Sequence, residues 1–279
     1  MKAKGLLRLL RPKNAIMSAI GVVVGWLAVT TELNSKLVLA MLVPPLVLMG
    51  GNAINDYFDA PIDRINKPDR PIPSGQISLN EAKLAYLTLS LMGVALSIPL
   101  GVYEVTIAAL FSVAWYLYAW KIKGTGLPGN VLVSLGVAFT LIFGALAAGG
   151  LSIKVIIFSV IAFTSNLARE IVKTVEDIEG DRAYGLRTFA IRYGIRRSGR
   201  AVALLATLSI ILSVMPLAMG IVGITYAILS VLLSSLVLFK VSLRCLNLNV
   251  KEARRVSSLL KLAMFLGLMG MLLDPIVGV

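Results

Sequence analysis

The strongest constraint on this chain is the recurrence of apolar runs about as long as a bilayer is thick. Residues 14 to 31, 37 to 55, 82 to 100, 102 to 120, 129 to 150, 153 to 176, 201 to 219, 221 to 243 and 258 to 276 each hold roughly the 17 to 25 apolar residues that a helix needs to cross hydrocarbon. The third and fourth runs abut at Pro99 and Gly101, and the seventh and eighth near Gly220 and Gly223, the pattern of tight helical hairpins. Composition agrees: 58% of the 279 residues are hydrophobic and the mean hydropathy is +0.88, too apolar for a soluble domain. No low-complexity linker divides the chain, so the expectation is a single all-α polytopic membrane domain over residues 1–279, with about nine transmembrane helices.

A net charge of +13 would fit nucleic acid, but the placement of the charges excludes it as a partner. With the amino terminus in the cytoplasm, 25 of the 27 Lys and Arg fall on the cytoplasmic side, Lys36 and Lys154 being the exceptions. This is the positive-inside pattern of a cell-membrane protein with its amino terminus in and its carboxyl terminus out. Eleven of the fourteen acids share the cytoplasmic side, Glu32, Glu104 and Asp274 standing apart, so the chemistry is expected there. The basic start MKAKGLLRLLRPKNA leads into an ordinary span without a small-residue cleavage site, and no removable signal is expected. With no His and one Cys, the chain offers no Cys/His zinc site, no His base and no internal disulfide.

Two carboxylate groups stand out near the ends of apolar runs. Asn52, Asn55, Asp56, Asp59 and Asp63 form one, and Glu176, Asp177, Glu179 and Asp181 the other. At 100° per residue Asn52, Asp56, Asp59 and Asp63 share an arc of about 60° if the helix runs straight. Pro61 removes a backbone donor and disfavours helix at Ala60, so Asp63 is expected on a separate short turn. Asn166, Glu170, Lys173, Asp177 and Asp181 form a second stripe about 80° wide, flanked by Arg169 and Thr174. Charges there are costly against lipid, so the stripe should face a wet cavity, with Lys173 able to pair with Glu170 or Asp177. Acids near helix ends often cap them or pair with a loop arginine. Two regular clusters on one membrane face instead point to one shared Mg²⁺, a hard cation held by a few carboxylates plus substrate phosphates.

These residues resemble the signatures of the UbiA superfamily of intramembrane prenyltransferases. The first, NDxxDxxxD, reads Asn55, Asp56, Asp59 and Asp63, followed by the loop NKPDRPIPSG; the second, DxxxD, reads Asp177 and Asp181 in EDIEGDRAYGLRTFA. The resemblance covers essentially the whole chain. It implies spans arranged around a central cavity open at the cytoplasmic face, and Mg²⁺ held by Asn55, Asp56, Asp59, Asp63, Asp177 and Asp181. Asp56, Asp59, Asp177 and Asp181 would be catalytic. A prenyl diphosphate donor would bind through the metal, with Asn52, Arg11, Arg70, Lys123, Lys173 and Arg182 as further substrate-binding candidates and Tyr118 facing the allylic cation. The family often shows YxxxK here, whereas Tyr118 and Lys123 are five apart and Lys121 sits in another register, so either lysine remains a candidate.

The run NLAREIVKTVEDIEGD looks like the archaeal ether-lipid branch of that family. That branch implies transfer of a geranylgeranyl group from its diphosphate to the hydroxyl of geranylgeranylglyceryl phosphate, a lipid-phosphate acceptor. For the base that takes the hydroxyl proton, a carboxylate of the second cluster and the released diphosphate both stand. Competing expectations are a quinone-pathway enzyme with a 4-hydroxybenzoate-like acceptor and a cation transporter. The transporter reading predicts acids at mid-span, and these lie at span ends. The continuous Asp-Gly and Ala-Arg signature of the CDP-alcohol phosphatidyltransferases does not occur.

Overall fold

Helix boundaries follow the punctuation of the sequence. The structure, a computed structural model, describes residues 2–277 apart from the side chains of residues 65 and 66. A short amphipathic helix, α1 (Lys2–Leu10), meets α2 (Pro12–Leu27), where Pro12 occupies the first turn and loses no bond for lack of an N–H. Then come α3 (Ser35–Asn66), α4 (Leu79–Ser97), α5 (Val102–Thr125), α6 (Leu127–Ala147), α7 (Ile153–Glu176), the short α8 (Ile178–Ala183) and α9 (Phe189–Tyr193), α10 (Ile195–Ala218), α11 (Ile224–Cys245) and α12 (Val250–Val277). Ser78 and Glu81 form a reciprocal capping box on α4, and Asn34 caps α3 by accepting from the Lys36 N–H at 2.9 Å. The buried Asp274 does the same job from a distance: its carboxylate accepts from the N–H groups of Gly223 and Tyr226, capping α11 from the last helix.

Seven of these helices, α3, α5, α6, α7, α10, α11 and α12, are long and apolar enough to cross a membrane. The runs expected at 14 to 31 and 82 to 100 are also helical, but α2 is short and α4 opens on Asn80, Glu81 and Lys83. Large apolar side chains such as Leu84, Leu91, Leu204, Ile211 and Ile224 stand exposed on the outer surface, where lipid takes the place of water. One core cluster joins α7, α10, α11 and α12; another joins α2, α3, α5 and α6.

Small residues let these helices approach. A Cβ on Gly25 of α2 would collide with the Leu141 carbonyl of α6, and one on Gly144 of α6 would collide with the Val22 carbonyl of α2. The two backbones therefore touch, and van der Waals contact at such small-residue crossings holds helices together where no hydrophobic driving force separates protein from lipid.

Two local expectations are corrected. α3 does not break at Pro61 but continues to Asn66, so Asp63 shares one helix with Asp56 and Asp59. Arg70 bridges the proline, its guanidinium reaching Asp63 Oδ2 at 2.5 Å and Asp56 Oδ1 at 3.3 Å, which ties together the turns on either side. The second stripe, in contrast, is not one helix. α7 ends at Glu176, Asp177 leaves helical geometry at φ −97°, ψ 8°, and Asp181 belongs to α8.

Candidate active site

The first cluster is a buried trio. Asp56, Asp59 and Asp63 each bring a carboxylate oxygen within 4.8 Å of the others, and all three residues are buried. Three carboxylates so close and so dry require cations, and the chain supplies them from three directions. Arg11 pairs with Asp56 and donates to Asn52 Oδ1 at 3.2 Å; Arg70 reaches Asp56, Asp59 and Asp63; Lys123 pairs with Asp59. Asn55 donates its Nδ2 to Asp59 Oδ2 at 2.9 Å, which leaves its own Oδ1 buried without a hydrogen-bond donor. Three clustered carboxylates with an orphaned amide oxygen beside them offer the donor atoms that a hard cation takes. A buried oxygen without a partner is costly unless something positive meets it.

Each cation is delivered by a local irregularity. Arg11 lies between α1 and α2 with φ 53°, ψ 64°, the left-handed region that a non-glycine residue enters only at a cost. The residue before Pro12 is also barred from the right-handed helix, so the chain turns here. Asn52 returns the contact by donating to the Leu10 carbonyl at 3.2 Å.

Lys123 depends on a π-helical turn at Tyr118–Ile122, in which the Lys123 N–H bonds the Tyr118 carbonyl. A π-turn carries one extra residue, so residues five apart stack as residues four apart do in an α-helix. That explains the departure from YxxxK and decides between the lysines: Lys123 meets Asp59, whereas Lys121 lies over the Trp120 ring at 4.1 Å. Tyr118 packs edge-on to Trp115.

The second cluster sits on a loop folded over the first. Tyr184 donates to the Ile62 carbonyl of α3 at 3.1 Å, and the Arg187 N–H to the Gly124 carbonyl beside Lys123 at 3.0 Å. Burial pushes the Asp181 carboxyl above the usual carboxylate range, and neighbouring Asp177 adds to this; the Lys123 and Lys173 ammoniums oppose it without prevailing. Asp177 and Arg182 are exposed at this edge. Lys173, which had two possible partners, turns to Glu170 at 3.2 Å, and Arg169 holds the same carboxylate at 3.1 Å. Of the two pairings open to Lys173 in the sequence the structure takes the one with Glu170, whose buried carboxylate is shared by two part-buried cations.

Behind the acids lies an elongated cavity of about 640 Å³, in the range that encloses small ligands. Its wall includes Leu48 and Arg169, each one helical turn from a polar site residue, Asn52 and Lys173 respectively; it extends to Ser213 and Tyr226 at the other end of α10 and α11. Apolar side chains such as Val47, Phe111, Phe139 and Leu268 dominate the lining.

An all-helical membrane fold with buried aspartates and converging cations at one end of an apolar cavity describes an enzyme that handles a phosphate-headed, oily-tailed substrate. The chain belongs to the UbiA prenyltransferase family, whose sequence model matches residues 33–269. It is 58% identical to the digeranylgeranylglyceryl phosphate synthase of Korarchaeum cryptofilum over 95% of both chains, and 41% identical to that of Methanopyrus kandleri over 96% of this chain and 98% of the other. A solved structure of a digeranylgeranylglyceryl phosphate synthase superposes with a TM-score of 0.83 at 36% identity, covering 99% of each chain. The fold is shared with a UbiA homologue from Archaeoglobus fulgidus bound to GPP and Mg²⁺, at TM-score 0.71 and 18% identity over 94% of this chain and 99% of that one.

Proposed function

We propose that this protein is an Mg²⁺-dependent membrane prenyltransferase that moves a geranylgeranyl group from geranylgeranyl diphosphate to the hydroxyl of geranylgeranylglyceryl phosphate, in archaeal ether-lipid synthesis. The observation that carries the choice of acceptor is the near full-length identity of 58% to a digeranylgeranylglyceryl phosphate synthase. In this reading α2 and α4 join the seven apolar helices to make nine spans around the cavity. The amino terminus and the acidic mouth face the cytoplasm, as the positive-inside pattern requires.

Asp56, Asp59 and Asp63, with Asn55, would hold Mg²⁺ from one side and Asp177 and Asp181 from the loop. When bound, the metal supplies positive charge for the diphosphate. Arg11, Arg70 and Lys123, which neutralise the aspartates, turn to the phosphate oxygens, and Asn52 keeps Arg11 in place. The allylic carbon–oxygen bond breaks with its electron pair staying on the diphosphate; the acceptor's hydroxyl oxygen bonds to that carbon and gives its proton to the released diphosphate or to a carboxylate of the second cluster. The Tyr118 ring would turn its face to the allylic cation, and the apolar cavity would take the isoprenoid tail away from water. Lys173 and Arg182 complete the basic rim, Lys173 through Glu170.

The test is prenyl transfer by purified protein from labelled geranylgeranyl diphosphate to geranylgeranylglyceryl phosphate or to 4-hydroxybenzoate, with Mg²⁺ and with EDTA. Mg²⁺-dependent product with the glyceryl phosphate alone is expected. Product only with the aromatic acceptor, or product that survives EDTA, would overturn the reading.

A further inference from the structure

The cavity wall has an unbalanced charge. Only two of its lining residues are charged, Arg169 of α7 and Lys261 of α12, and both are positive. The rest of the lining is apolar, aromatic or neutral polar. Arg169 is three-quarters buried and gives one nitrogen to Glu170, but its Nε is buried with no hydrogen-bond partner. Lys261 is exposed on the cavity wall eleven residues past the start of α12 at Val250, a helix apolar enough to span a membrane, and pairs with no carboxylate among the described residues. Leu260 and Ala263 of α12 share a core cluster with Ala168 and Ile171 of α7, so the two cations line the cavity from helices that belong to one packed unit.

Lys261 has no carboxylate and Arg169 shares its one, Glu170, with Lys173; such charge in an apolar span is costly, and a charged ligand offsets it. The donor's diphosphate already has the cations at the aspartate cluster. We infer that Arg169 and Lys261 form a separate subsite for a lipid phosphomonoester, the phosphate of the acceptor. This rests on the reading above and deepens it. In glyceryl phosphate the phosphorus is only four bonds from the reacting hydroxyl, so its site must lie close to the diphosphate without coinciding with it. Arg169 meets that condition, standing one helical turn from Lys173 on the cavity side. The subsite makes the phosphate a determinant of acceptor choice: an acceptor lacking it leaves two cations facing an apolar cavity.

The test uses the full chain in nanodiscs of zwitterionic lipid, which removes bulk anionic headgroups as a source of phosphate. The kcat/KM for geranylgeranylglyceryl phosphate is divided by that for geranylgeranylglycerol in the wild type and in Arg169→Gln and Lys261→Met. Each variant removes a charge-assisted hydrogen bond to the phosphate and should lower that ratio roughly tenfold or more, and Arg169→Lys and Lys261→Arg should restore much of it. A ratio within a factor of two of the wild type in both neutral variants, or a rise in the donor's KM in place of the acceptor's, would overturn the subsite. If Arg169→Gln fails to insert, Lys261→Met decides alone. A wild-type enzyme that uses neither glyceryl acceptor would refute the functional reading itself, a result distinct from any variant effect.

Discussion

Arg11 combines a backbone in an unfavourable region with a side chain in the acidic cluster, and a pair of substitutions separates the two. Arg11→Ala and Arg11→Gly both delete the interactions with Asp56 and Asn52. They differ in what the backbone must bear. At φ 53°, ψ 64° alanine retains a left-handed cost of about 1–2 kcal/mol. Glycine is free of it but gives up roughly 0.5–1 kcal/mol of unfolded-chain entropy. The expected result is that Arg11→Gly is more stable than Arg11→Ala by about 1 kcal/mol, measured by denaturant unfolding in detergent. Activity should not follow stability. Both variants remove a hydrogen bond to a charged partner, worth about 1.5–3 kcal/mol when dry. The Arg11 side chain is 32% exposed, which places the effect near the lower end, roughly a tenfold fall in kcat/KM. Equal stability of the two variants would refute the argument from backbone strain. Wild-type turnover in Arg11→Gly would refute the role of the guanidinium.

The remaining expectations address other parts of the site and scaffold. Asp56→Ala and Asp177→Ala should each abolish turnover while the protein still inserts and folds, read by product formation beside size-exclusion profiles; normal activity in either would remove its cluster from the mechanism. Lys123→Ala should cost roughly tenfold or more in kcat/KM, whereas Lys121→Ala, whose ammonium lies over Trp120, should stay near wild type. Gly25→Leu should destabilise the fold by about 1–3 kcal/mol or more through overpacking against the Leu141 carbonyl, seen as a lower melting temperature in detergent. A surface change such as Leu204→Ala should leave that temperature nearly unchanged, Leu204 being 70% exposed to lipid.

Much of this protein is written in local pattern. The length of an apolar run and the step of 100° per residue are properties of one helix, so the apolar helices and the common facing of Asp56 and Asp59 followed from the sequence alone. Where two tendencies compete, tertiary contacts decided. Pro61 disfavours helix locally, yet Arg70 from the following loop bonds Asp56 and Asp63 across it, and α3 runs on. The second stripe obeyed the same periodicity, but α7 stops at Glu176, and Lys173 chose Glu170 over Asp177 because only Glu170 shares its helix. Between Lys121 and Lys123 the sequence held no preference; the π-turn at Tyr118 chose the second by adding one residue to the turn. The gathering of Arg11, Arg70 and Lys123 on three aspartates, and the cavity with its two cations, join residues far apart in the chain. Helical periodicity carries no information about such distances; the resemblance named the cavity and these cations, and only packing gave their pairings.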